Sequence, residues 1–91
     1  MPMYSVYILQ SERSGKFYVG TTADVQRRLH YHNTGRSPWT RGRGPWKVVC
    51  EEAFRSRREA MIRERQIKAM KSRDHVERLV QEYQAMPPRT G

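Results

Sequence analysis

Apolar positions come as short runs in the first half of the chain and at helical spacing in the second. Residues 3–9 (MYSVYIL) are β-branched and aromatic over a strand's length, and residues 16–20 (KFYVG) form a second such run. Between them QSERSG (10–15) has turn composition, so 3–20 reads as a β-hairpin. Thr22 or Asp24 can then cap a helix that starts near Val25 and stops at Asn33-Thr34-Gly35. Residues 36–45 (RSPWTRGRGP) hold two prolines, two glycines, three arginines and a tryptophan, the mixture of a loop. WKVVCEEAF (46–54) is a third strand. Ser56 to Glu59 has the S-x-x-E form of a capping box and opens a helix through SRREAMIRERQIKAMK, 56–71. Ser72 starts a last helix, SRDHVERLVQEYQ, with Val76, Leu79, Val80 and Tyr83 as its apolar stripe. Residues 86–91 (MPPRTG) read as a disordered tail. The order ββαβαα predicts one α+β domain over 1–85, a small three-stranded antiparallel or mixed sheet flanked by helices.

Charge changes the picture from fold to partner. The 91 residues carry 18 Lys+Arg against 9 Asp+Glu, a formal charge of +9. Only Lys16, Lys47, Lys68 and Lys71 are lysines; the rest is arginine, which suits two-pronged contact with phosphate. The basic residues recur from Arg13 to Arg89, so this is a surface rather than a tail, and it favours a polyanion. The competing reading is a solvated basic face with no ligand. Cys50 is the one cysteine, which excludes an internal disulfide and a cysteine-based zinc site. No apolar run nears the roughly 18 residues of a membrane span, and no basic leader precedes the first apolar run. The expectation is a cytoplasmic protein with no membrane partner.

Against that background some polar residues occupy core-facing places. With a turn at Gln10–Gly15, Leu9 faces Lys16 and Tyr7 lies opposite Tyr18, which sets two phenols side by side. Gly20 beside them leaves room for something to approach the backbone. On the first helix Val25 and Leu29 define the buried stripe; His32 falls between their directions and Arg28 lies on its edge, one turn before His32. Glu64 sits between Ala60 and Ile67 on the stripe of the second helix. A carboxylate there needs a partner, either an arginine such as Arg28 or a magnesium ion completed by waters and a substrate phosphate. Phenol, guanidinium, imidazole and carboxylate together could run metal-assisted phosphodiester hydrolysis.

These residues carry a resemblance. Ser5-Val6-Tyr7 and Tyr18-Val19-Gly20, Arg28 eight residues on, His32 a turn later, Glu64 in E-A-M-I-R-E, and the stretch from His32 to Pro45 resemble the GIY-YIG nuclease superfamily, and more closely its small stand-alone bacterial branch. The likeness runs over about residues 4–83. It implies an endonuclease that cuts DNA with one divalent metal, Mg²⁺ or Mn²⁺. Tyr7 or Tyr18 would activate or position the attacking water, Arg28 would hold the phosphate, His32 would assist proton transfer, and Glu64 would bind the metal. A free tyrosine has a pKa of about 10, so a phenolate base needs the metal, Arg28 or a lysine such as Lys16. The chain departs from the family in four ways, the first being valine for isoleucine in each triplet, at Val6 and Val19. Ser5 replaces the first glycine, and Thr21 stands where some branches have a lysine. No asparagine follows Asn33, which leaves that role absent or to Gln66 or His75.

A chain of this size must recognise its substrate with its own surface. The loop 36–45, the arginines around the second helix, and Lys68 or Lys71 are what it offers. Trp39 is either a stacking platform for an unpaired base, with Arg36, Arg41 and Arg43 on phosphate, or a plug that anchors the loop. The reading favours single-stranded, branched or distorted DNA, cut with weak sequence preference. Repair, recombination and uptake of foreign DNA would be served by the same site. The alternatives are a non-catalytic nucleic-acid-binding module and a subunit that works only with a protein partner.

Overall fold

The structure is a computed structural model and describes residues 3–86. It contains β1 (Tyr4–Ser11), β2 (Phe17–Thr22), α1 (Val25–Asn33), β3 (Trp46–Phe54), α2 (Arg57–Ala69) and α3 (Arg73–Ala85), the expected α+β order ββαβαα. The tail expected over 86–91 lies outside the described residues beyond Met86.

β1 is the centre of a three-stranded antiparallel sheet, ordered β2-β1-β3. Its position explains its composition. A strand covered on both faces needs an unbroken apolar run, and Ser5 to Leu9 are all buried. Tyr7 and Leu9 face one side with Val25, Trp46, Tyr18, Leu29 and Val48, the layer closed by α1. Val6 and Ile8 face the other side, against Ala60 and Ile67 of α2 and Val76 and Val80 of α3. A bulge between Ile8 and Leu9 leaves Val49 as the extra residue of β3.

The hairpin register differs from the expectation. Tyr7 pairs with Gly20 and Leu9 with Tyr18, while Tyr18 was expected opposite Tyr7. Ser11 causes this. It extends β1, its Oγ accepts from the amides of Arg13 and Ser14, and Gly15 at φ +76° closes the turn, which moves the pairing by two residues. A shift of two preserves the face, so Tyr7 and Tyr18 still share one side of the sheet.

Asp24 caps α1 by accepting from the Arg27 amide, and Ser56 caps α2 by accepting from Glu59. Ser72 precedes α3 but makes no side-chain cap bond. α2 ends at Ala69, short of the expected Lys71, because Lys71 takes the left-handed conformation at φ 51°. Tyr83, expected on the buried stripe of α3, is exposed.

Candidate active site

Tyr7 is 1% exposed, and its ring runs from β1 across Gly20 of the edge strand β2. A Cβ built on Gly20 would meet the Tyr7 hydroxyl at 2.5 Å. The room that Gly20 leaves is therefore filled by Tyr7. The glycine is a seat for the phenol.

The Tyr7 hydroxyl is 3.0 Å from His32 Nε2, and His32 Nδ1 is 2.8 Å from Thr40 Oγ1. His32 is itself 1% exposed and ringed by Tyr7, Tyr18 and Tyr31, the nearest being Tyr18 at 4.7 Å between ring centroids. Burial, and then the charge of Arg28, push the His32 pKa down to about 4. The imidazole is neutral at neutral pH. Burial also pushes Tyr7 up to about 12; the guanidinium of Arg28 pulls the other way, and Tyr18 and Glu64 add to the rise. Lys16, just before β2, lines a cleft together with Lys68 and Lys71.

Arg28 stacks on Tyr31, with its guanidinium carbon 4.3 Å from the ring centroid. Its Nε is buried and, among the described residues, has no hydrogen-bond partner. A buried donor without an acceptor is costly.

Glu64 reaches the site from the opposite face of the sheet. Thr21, next to Gly20, points to that face by strand alternation and donates to Glu64 Oε1 at 2.5 Å. Lys68, one turn on, holds Oε2 at 2.8 Å. The expected arginine partner is thus a lysine and a threonine; Arg28 is on the other side of β2. Burial tends to raise the Glu64 pKa, but the Lys68 ammonium and the Thr21 hydroxyl outweigh it and hold the carboxyl below its ordinary range. Tyr7, Tyr18, Arg28 and His32 therefore form one half of the site and Glu64 the other. The two groups meet β2 at neighbouring residues, Gly20 and Thr21, on opposite faces of the sheet.

Ser5 donates to Glu51 Oε2 at 3.3 Å, on the Tyr7 face. Gln66 and His75 are exposed. Trp39 is 73% exposed, in the company of exposed Arg36, Arg41 and Arg43. It does not anchor its loop. Trp46 does, bonded through Nε1 to the Thr40 carbonyl and through its backbone to both ends of the Asn33 amide. Thr21 and Thr40 are the polar residues that sequence reasoning left without a role. Parity along β2 was the available signal for Thr21; Thr40 had none, because a loop has no period.

A single carboxylate suits a hard, well-hydrated ion. Among the described residues no three His, Cys, Asp or Glu side chains converge, so an ion on Glu64 would keep waters or take phosphate oxygens, the habit of Mg²⁺. Lys68 is already a cation on that carboxylate, and a half-exposed pair one helical turn apart is worth less than about 1 kcal/mol, so it yields easily. The residues fit such an ion.

The family model described as the GIY-YIG catalytic domain matches residues 3–78. A UPF0213 protein of Halalkalibacterium halodurans is 45% identical over 76 residues, 82% of this chain and 79% of its own. A UPF0213 protein of Halobacterium salinarum is 44% identical over 69 residues, 75% of this chain and 88% of its own. The solution NMR structure of the UPF0213 protein BH0048 from Bacillus halodurans superimposes with a TM-score of 0.55 at 42% identity, covering 87% of this chain and 83% of that one. Among the described residues no helix is long and apolar enough to cross a membrane.

Proposed function

Because the chain belongs to the GIY-YIG catalytic-domain family, we propose that it is a divalent-metal-dependent endonuclease that hydrolyses phosphodiester bonds in single-stranded or distorted DNA with weak sequence preference. The observation that carries this reading is the buried, partnerless Nε of Arg28 beside the Tyr7–His32 pair.

Arg28 donates to a phosphate oxygen and stabilises the charge that develops there. Tyr7 stays a neutral phenol, since its pKa stands near 12. It works by passing a proton: it accepts one from the attacking water as its own goes to His32 Nε2. The tautomer with a proton on Nδ1, donated to Thr40, leaves Nε2 free for this. Tyr18 packs against His32 with its ring tilted 59°, which fixes the imidazole, and lies on the same face as Tyr7. Glu64, held by Thr21, would bind Mg²⁺ or Mn²⁺ and bring positive charge to the phosphate when the ion is present.

The test is a cleavage panel on labelled single-stranded, duplex, branched and flapped DNA with Mg²⁺, Mn²⁺ or EDTA. Wild type should cut at least one substrate with metal and none with EDTA. Arg28→Ala should lose about 10²–10³ in rate, and Glu64→Ala should lose cutting while DNA binding survives. Metal-independent binding with no cutting would leave a binding module; cutting only after addition of cell extract would indicate a missing partner.

A further inference from the structure

We propose that the cleft between β2 and the α2–α3 turn is a subsite for one unpaired nucleotide of the DNA strand. The proposal rests on the nuclease reading above and names a place for the substrate outside the reacting centre.

The cleft has a volume of about 330 Å³, the lower end of pockets that receive a small ligand. The buried Ile67 forms its floor, and the half-buried Phe17, Val19 and Val76 are the walls that offer a base an apolar surface. Its rim is cationic. Lys16, Lys68 and Lys71 line it, three of the chain's four lysines, in a protein that otherwise relies on arginine. Lysine is a mobile point charge and suits a phosphate whose position varies with the neighbouring base. Arg73 closes one end. It is fixed by Glu77 and the Gly15 carbonyl and lies over Phe17, so it shapes the wall; Lys68 is paired with Glu64, which leaves Lys16 and Lys71 as the free charges among the described residues.

Two further observations point to a ligand. Lys71 is the one non-glycine with positive φ among the described residues, at 51°. A glycine would hold that turn at no steric cost, so a lysine there keeps its side chain at the expense of backbone strain. Lys68 lines the cleft and also holds Glu64, which makes the cleft continuous with the candidate site. A strand whose phosphate lies at Glu64 therefore has the Lys68 end of the cleft beside it. A duplex cannot supply a free base there, and a single strand can.

The experiment measures fluorescence anisotropy of a short fluorescein-labelled single strand and its duplex in EDTA, where no cutting occurs. Ser72 lines the cleft and makes no cap bond, so Ser72→Phe fills the space at little cost to α3. It should weaken single-strand binding about tenfold and leave duplex binding unchanged. Lys71→Asn keeps the left-handed turn and should lower the single-strand slope of log affinity against log salt by about 0.7. A third measurement uses wild type alone: an abasic position scanned along the strand should weaken binding at one place only. Thermal melts verify that both variants fold. Wild-type affinity in both variants, equal loss for single strand and duplex, or no abasic sensitivity overturns the proposal. Equally tight binding of poly-glutamate, lost in the same variants, would make the cleft a protein-docking site and also overturn it. The nuclease reading is scored separately, by metal-dependent cutting and its loss in Arg28→Ala.

Discussion

Gly20 and Tyr7 share one space, and that makes the smallest side chain of the site decisive. Gly20→Ala puts a methyl within 2.5 Å of the Tyr7 hydroxyl and 2.7 Å of its ring. The ring is fully buried and cannot swing clear, so the hydroxyl must leave His32. We expect a loss of about 1–3 kcal/mol in urea unfolding, with cleavage falling further than stability explains. Wild-type activity in Gly20→Ala would mean that the Tyr7–His32 bond is dispensable. His32 gives a second expectation, in pH. Its folded pKa, about 4, lies below the ordinary 6.5, so between these values the unfolded chain binds a proton and the folded one does not. Its contribution is full above about pH 6.5 and drains as pH falls toward 4, at about 1.4 kcal/mol per unit and on the order of 3 kcal/mol in all. The carboxyl of Glu64 is depressed, so its loss comes lower, below the ordinary carboxylate range. Unfolding free energies should fall steadily over the His32 window in wild type and stay flatter in His32→Gln. Equal slopes would place the titrating group elsewhere.

At the scale of elements the site is a property of the β2 edge. Tyr7 crosses it on one face and Glu64 meets it on the other, and Thr21 joins Glu64 to the strand. Thr21→Val keeps the shape and β propensity but removes the donor that orients the carboxylate. Loss of such a supporting bond typically costs 10–100-fold in metal affinity or activity. We expect about a tenfold lower cleavage rate in Thr21→Val and near-normal rates in Thr21→Ser; an active valine variant would assign the orientation to Lys68 alone. Thr21 also marks the limit of what the sequence made legible. Element order, helix starts and the polar residues on apolar faces follow from period and cap chemistry, which act locally. The Tyr7–Gly20 pairing depends on a turn stitched by Ser11, whose hydroxyl is also tied to the Arg43 carbonyl 32 residues away. The Glu64 partner depends on how α2 crosses the sheet. Both are set by tertiary contacts, so a reading by period found the carboxylate, left its partner open between an arginine and a magnesium ion, and missed Lys68 and Thr21.

Over the whole molecule the charge of +9 is unevenly used. Salt bridges engage Arg63 with Glu52, Lys68 with Glu64 and Arg73 with Glu77, while Arg36, Arg41 and Arg43 stand exposed around Trp39 on a loop pinned from beneath. The pins are Ser11 to the Arg43 carbonyl, the Glu12 amide to Pro45, and Trp46 to Thr40. A loop so fixed presents its cations without further ordering cost, which favours a steady electrostatic hold on a strand. Each phosphate neutralised on single-stranded DNA contributes about 0.7 to the slope of log affinity against log salt. Replacing all three arginines with glutamine should therefore reduce that slope by about 2 and weaken binding most at low salt. Because none of the three touches Tyr7, His32 or Glu64, the rate at saturating DNA should stay near wild type. A variant with an unchanged slope would remove the loop from the binding surface, leaving the lysine-rimmed cleft and Arg28 as the remaining contacts. A variant that binds normally but cuts slowly would instead make the loop part of the support for His32, through Thr40.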